Sequence, residues 1–172
     1  MIFDETQMSE AEVSLTLALY LIRNNLVTSD VLVAIDGAQI KTGSTVHFQI
    51  EEFLLANKCR IVANQIEWRG TYKIDNFDYN MIVHSNPGKG DVVAKLISGV
   101  DLRVESKKGP LSRSAGSKEY PLMREAIGQL MTIEEYSESD RLAVAIPYAP
   151  KFKELANRWK KAPLMRMLES FI

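Results

Sequence analysis

A chain of 172 residues is of single-domain size, long enough to bury roughly 70% of the surface its unfolded form exposes. Apolar residues at 46% and charged residues at 25% are ordinary for a globular protein, which excludes disordered, collagen-like and low-complexity classes. Net charge is −1, yet residues 1–58 hold eight acids and three bases while residues 59–172 hold fourteen and eighteen, so a surface for a polyanion belongs to the later part.

The acidic start (Asp4, Glu5, Glu10, Glu12) is unlike the basic front of a signal peptide, and no apolar run approaches the roughly 20 residues that span a bilayer. The expected setting is therefore the cytoplasm, with no membrane partner. Residues 9–25 open on a Ser9 cap followed by acids and are apolar at helical spacing (Val13, Leu17, Tyr20, Leu21), which predicts a helix. In VLVAIDGAQI, Asp36-Gly37 between two β-rich halves predicts a hairpin. A second helix is expected from Ser44 or Thr45 to about Asn57, then strands at CRIVANQI, GTYKI and residues 81–84. The single cysteine, Cys59, cannot form an internal disulfide and reads as a buried inert thiol.

Pro87, Gly88 and Gly90 punctuate the chain before two strands, DVVAKLI and VDLRVESK, joined at Ser98-Gly99. A basic Gly/Ser-rich loop (GPLSRSAGSK) leads to a helix from about Pro121 to Tyr136, and the nearly apolar RLAVAIPY reads as a strand covered on both faces. A last helix, Pro150 to about Lys161, suits proline in its first turn, and Lys151–Arg166 holds six bases against one acid. The expected fold class is α/β (α+β): one mixed sheet flanked by helices, in one domain spanning 1–172, with 1–43 a helix-and-hairpin extension and 44–172 the core.

Side chains alternate between faces along a strand, so Glu105 and Lys107 point one way while Val104 and Ser106 point the other. With a three-residue connection, Ile97–Gly99, position 91 falls opposite 105 and the Asp91 and Glu105 carboxylates meet. A two-residue loop, Ser98-Gly99, instead sets Asp91 diagonally beside Glu105 and Lys107. Two carboxylates held together repel, and a hard divalent cation such as Mg²⁺ relieves them. Lys107 adds an ammonium able to orient an attacking water or stabilise a phosphate's developing charge, and the Ser106 carbonyl is a further oxygen donor.

A lone Glu-x-Lys triplet is also what an exposed strand face looks like. The order of parts is more specific: a Gly/Pro break, an acid at a strand start, a hairpin, Glu-x-Lys, then a helix. On these residues, GDVVAKLISGVDLRVESKK resembles the active-site hairpin of the PD-(D/E)xK superfamily of restriction-endonuclease-like nucleases, with Gly90-Asp91 in place of Pro-Asp. The likeness extends over roughly residues 45–165, through Gln129 in AIGQLM, where many members carry a helix Gln, to LAVAIPYAPKFKELANRW. Members with Gln-x-x-x-Tyr have Tyr where this chain has Ile133.

The resemblance implies a restriction-endonuclease-like core and Mg²⁺-dependent hydrolysis of phosphodiester bonds in nucleic acid, most of all DNA. Asp91 and Glu105, with Ser106, would hold the metal, for which Mn²⁺ can substitute, while Lys107 and Gln129 would act in catalysis. Glu51 or Glu52 is a candidate for the acid that some members supply from the first core helix. A homodimer would suit cutting both strands. The alternatives are a catalytically silent module of the same fold that binds nucleic acid or protein, and an interaction protein using the acidic first region. His47 and His84 read as structural, and Trp68, Phe152 and Trp159 as core or interface anchors. The absence of a Walker loop, a Rossmann fingerprint and a Gly-x-Ser-x-Gly elbow removes the common nucleotide-binding and hydrolase classes.

Overall fold

The computed structural model describes residues 6–86, 88–112, 118–133 and 136–163. In chain order the elements are β1 (Gln7–Met8), α1 (Glu10–Arg23), β2 (Val31–Ala34), α2 (Gly37–Ile40), β3 (Lys41–Thr42), β4 (Thr45–Val46), α3 (Ile50–Ala56), β5 (Cys59–Ile66), β6 (Arg69–Ile74) and β7 (Asn80–His84). Then follow β8 (Val92–Lys95), β9 (Asp101–Ser106), β10 (Gly109–Pro110), α4 (Glu119–Leu130), β11 (Asp140–Ala145) and α5 (Pro150–Lys160). A seven-stranded mixed sheet in the order β11-β9-β8-β2-β7-β6-β5 carries the helices, as the α+β reading expects.

Helix α1 begins where its cap predicts. The Glu12 N–H donates to Ser9 Oγ at 3.1 Å and the Ser9 N–H to the Glu12 carboxylate at 3.3 Å, a reciprocal box that satisfies two backbone donors at the helix start. Ala11, Leu15, Ala18, Leu19 and Ile22 form its buried face and pack over Val31, Val33, Val83, Val92 and Val104 of the sheet. The hairpin expected at Asp36-Gly37 does not form. Asp36 caps α2, accepting from the Ala38 N–H at 2.9 Å, and β2 pairs parallel with β7 and antiparallel with β8. Strand β2 is the middle strand of the sheet, and so the first forty residues belong to the core rather than to an extension of it.

The second expected helix is shorter than its pattern. Thr45 and Val46 pair with Lys41 and Thr42 as a small ribbon, and α3 starts only at Ile50. Strand β11 lies at the sheet edge beside β9, and residues 142–145 are half-buried on both faces with α1 and α4 packed against the strand, as expected. It runs parallel to β9 through the α4 crossover, and a buried ion pair, Arg103 to Asp140 at 3.0 Å, ties the two strand starts together. Helix α4 covers Glu119–Leu130 rather than reaching Tyr136, and Met131 beyond it is exposed.

Helices α4 and α5 make a second apolar cluster from Met123, Ala149, Phe152 and Leu155, joined by Trp159 edge-on to Tyr120 at 5.8 Å. Phe152 is thus a core anchor, as expected. Cys59 is buried too, and burial pushes its thiol up to about 11, leaving it protonated and unreactive at neutral pH. Among the described residues no helix is long and apolar enough to cross a membrane.

Candidate active site

The hairpin β8–β9 decides the geometry. Val92 pairs with Val104, Val93 with Arg103, Ala94 with Leu102 and Lys95 with Asp101, which is the register of the three-residue loop. The Leu96 N–H donates to the Val100 carbonyl at 2.8 Å, and Gly99 takes φ +84° in the position that needs a left-handed residue. Val92 and Ala94 are buried while Val93 and Lys95 are not, so the alternation of the sequence holds the register against a slip.

Continuing the ladder one step brings Asp91 against Glu105. The Asp91 N–H donates to the Val104 carbonyl at 2.8 Å, and its Oδ2 accepts the Ser106 N–H at 2.7 Å. Gly90 precedes it at φ +110°, with the place of a Cβ only 3.1 Å from the Val104 oxygen. That backbone angle is closed to proline, whose ring holds φ near −65°, so this chain carries Gly before its acid for a steric reason.

Lys107 is only 2% exposed. Its backbone N–H donates to the Ala145 carbonyl at 2.9 Å, and its Nζ lies 3.3 Å from both carboxylate oxygens of Glu10 and 3.5 Å from Oε1 of Glu125. Glu10 stands in the first turn of α1, and Glu125 on α4. An ammonium so deeply buried survives only when paired. Here the pairing groups come from two helices on separate parts of the chain. Ser106 points away from this cluster, as alternation requires, and its hydroxyl accepts from Ser14 Oγ of α1 at 2.8 Å.

The charges explain the shifts. Burial, with Asp91 and Glu10 nearby, pushes Glu105 up to about 7, and Lys107 only partly offsets this. Burial also raises Asp91, against the Ser106 hydrogen bond and Lys107. Glu10 rises through burial, with Lys107 opposing and Asp91 and Glu125 reinforcing. Four carboxylates around one ammonium leave an excess of negative charge, and the Glu105 carboxylate accepts no hydrogen bond from any described residue.

Among the described residues, no group of three or more His, Cys, Asp or Glu side chains is packed closely enough to hold a metal ion by itself. Mg²⁺ does not need such a cage, since it is commonly bound through one or two carboxylates and keeps several waters. Hard oxygen donors with raised pKa values, crowded by like charge, fit that requirement.

The other expected site residues divide. Gln129 lies exposed on α4, one turn beyond Glu125, with no hydrogen bond from its side chain to the cluster. Glu51 and Glu52 do not join: α3 packs on β5, five strands from β9 and so about 24 Å away at ~4.8 Å per strand. The helix acids beside Lys107 are Glu125 of α4 and the closer Glu10, which spacing alone does not tie to Lys107. The only local signal for it is the Ser9 cap that sets Glu10 in a helix's first turn. Of the basic loop, Arg113 lies outside the described residues, while Lys118 and Lys108 line a cleft of about 490 Å³ beside β10 and α4. His84 is half-buried, accepting from the Asn86 N–H at 3.2 Å, and His47 is exposed. Compared with protein-family models, curated proteins and solved structures, the chain gives no significant match.

Proposed function

We propose that this protein is a Mg²⁺-dependent nuclease hydrolysing phosphodiester bonds of nucleic acid, DNA foremost, with the active-site chemistry of the PD-(D/E)xK superfamily that its central hairpin resembles. The observation that carries this reading is the convergence of Asp91, Glu105 and Lys107 at one end of β9, with Glu10 drawn to the same ammonium. Asp91 and Glu105 are the groups to hold the cation, with the Ser106 carbonyl as a third oxygen, and Mn²⁺ suits the same donors. When bound, the ion supplies Lewis-acid charge to the phosphate and acidity to a water. Lys107 holds a fixed positive charge where negative charge develops on the phosphate, and its ion pairs keep it aimed. Gln129, on the solvent side of α4, is available to a bound substrate and not to the cation. A homodimer would supply the two sites needed to cut a duplex.

Calorimetric titration of Mg²⁺ into the wild type and Asp91→Ala, run beside a DNA cleavage assay, tests the reading. The wild type is expected to bind the ion and cleave, and Asp91→Ala to do neither. Because Ala also strips the Ser106 N–H of its acceptor, Asp91→Asn, which keeps one, controls for misfolding. A wild type that binds nucleic acid but neither binds Mg²⁺ nor cleaves would overturn the enzyme in favour of the silent binding module.

Lys153, Lys160 and Lys161 are exposed on and just after α5, and Lys118 is exposed before α4. If these meet phosphates, affinity for DNA should fall steeply with salt, and losing one contact should lower the logarithmic slope by about 1. Binding that is flat between low and physiological salt would remove this surface from the model.

A further inference from the structure

We propose that Tyr148 and Lys153 form a nucleotide clamp beside the carboxylate cluster, in which an unpaired base of the substrate strand stacks on the Tyr148 ring and the adjoining phosphate meets Lys153. The clamp rests on the nuclease reading and narrows its substrate to nucleic acid with a single-stranded stretch next to the cleaved bond.

Placement comes first. Strand β11 runs parallel to β9, with Ala145 opposite Ser106 and its carbonyl bonded to the Lys107 N–H, so the chain leaving β11 emerges at the same end of the sheet as the cluster. Tyr148 is three residues further on and thus within roughly 10 Å of Ala145. That is about three nucleotides of helical rise at ~3.4 Å each.

Rigidity comes second. Pro147 and Ala149 on either side of Tyr148 are buried, and the Ala149 N–H donates to the Pro147 carbonyl at 2.9 Å. Phe152, fully buried below them, packs into the space that Gly109 leaves by lacking a Cβ. Between these anchors Tyr148 is 81% exposed, more than any other large apolar side chain described. Its ring contributes nothing to the core, yet its backbone is held by residues that do.

Chemistry comes third. The Lys153 Nζ donates to Tyr148 Oη at 3.0 Å and stands 5.4 Å from the ring centroid, so an aromatic face and a cation are presented together. Lys151 is neutralised by Glu154 at 2.9 Å, whereas Lys153, Arg158 and Lys160 make no ion pair with a described acid. A polyanion with π faces fits this combination, and an acidic peptide supplies only half of it. Every base has such a face, so the clamp is tolerant of sequence. In a duplex both faces of a base are already stacked, which restricts the gain to unpaired nucleotides.

The test is fluorescence titration, in EDTA, of a deoxyoligonucleotide carrying 2-aminopurine, as a single strand and as a duplex. For the single strand, Tyr148→Ala is expected to weaken binding and the associated quenching by about 5- to 150-fold, while Tyr148→Phe stays close to wild type. Duplex binding should be unchanged by Tyr148→Ala, and Lys153→Gln should lower the salt slope by about 1. Single-strand binding by Tyr148→Ala equal to wild type, or an equal loss for strand and duplex, overturns the clamp. Mg²⁺-dependent cleavage is followed separately on the same proteins. Cleavage with unaltered strand binding in Tyr148→Ala removes the clamp and leaves the nuclease, whereas strand binding lost in that variant without cleavage by any form does the reverse. A wild type that binds neither oligonucleotide removes the clamp, and if it also fails to cleave in Mg²⁺ it removes both.

Discussion

Lys107→Met should lower DNA cleavage by about 10²- to 10³-fold, the loss expected when one fixed charge is taken from where a transition state accumulates its own. The thioether occupies a similar volume, so the buried slot between Glu10 and Glu125 stays filled, but both carboxylates lose their partner. Without the ammonium the neighbouring acids hold protons more tightly, because Lys107 is the group that lowers Glu10, Asp91 and Glu105. Mg²⁺ binding should therefore survive at pH 8 and weaken towards pH 6, as the acids take up protons. Single-turnover cleavage together with calorimetry at the two pH values separates these effects. Loss of Mg²⁺ binding at pH 8 in a folded variant would mean that Lys107 belongs to the metal-holding set instead.

The second large effect has opposite signs in activity and stability. Glu105 is pushed from the ordinary carboxylate value of 4.5 up to about 7, so the metal-free fold favours its protonated form. A raised carboxylate pKa makes the folded state lose stability as pH rises from the unfolded value through the folded one, here between about 4.5 and 7. Glu105→Gln is neutral throughout and escapes that loss. Its Tm without metal should match the wild type below about pH 4 and exceed it at pH 8. Cleavage should be abolished, and the stabilisation that Mg²⁺ gives the wild type by binding only the folded state should disappear. In the wild type, each proton displaced by the ion should make affinity rise about tenfold per pH unit below 7 and level off above it. A variant with the wild-type response of Tm to Mg²⁺ would remove Glu105 from the centre.

The hairpin was legible because its signals are local. Alternation of Val92 and Ala94 with Val93 and Lys95 assigns faces, Gly99 supplies the left-handed turn residue, and together they pair 92 with 104 and bring Asp91 to Glu105. The Ser9 cap and Pro150 marked helix starts for the same reason: each acts on its own first turn. Asp36-Gly37 misled because Asp before Gly serves a helix cap as readily as a type I′ turn, and the choice depended on which strands flank β2 in space. RLAVAIPY marked a covered strand, but apolar composition reports contact with helices and core and not a strand's rank in the sheet.

By itself, the sequence determined the elements with strong periodicity, the α+β class, and the hairpin that carries two carboxylates and a lysine, with its loop left at two or three residues. Those follow from backbone geometry acting over a few residues. Only the tertiary structure decided that β2 is the sheet's middle strand, that the helix acids paired with Lys107 are Glu10 and Glu125 and not Glu51 or Glu52, and that Lys107 is buried between α1 and α4. It also decided that Tyr148 stands in solvent while Phe152 and Trp159, equally aromatic, are packed against the second cluster. Glu10 and Lys107 are 97 positions apart. No pattern of period 2 or 3.6 spans such a separation, and what joins the two is the packing of α1 against the sheet, a property of the whole core.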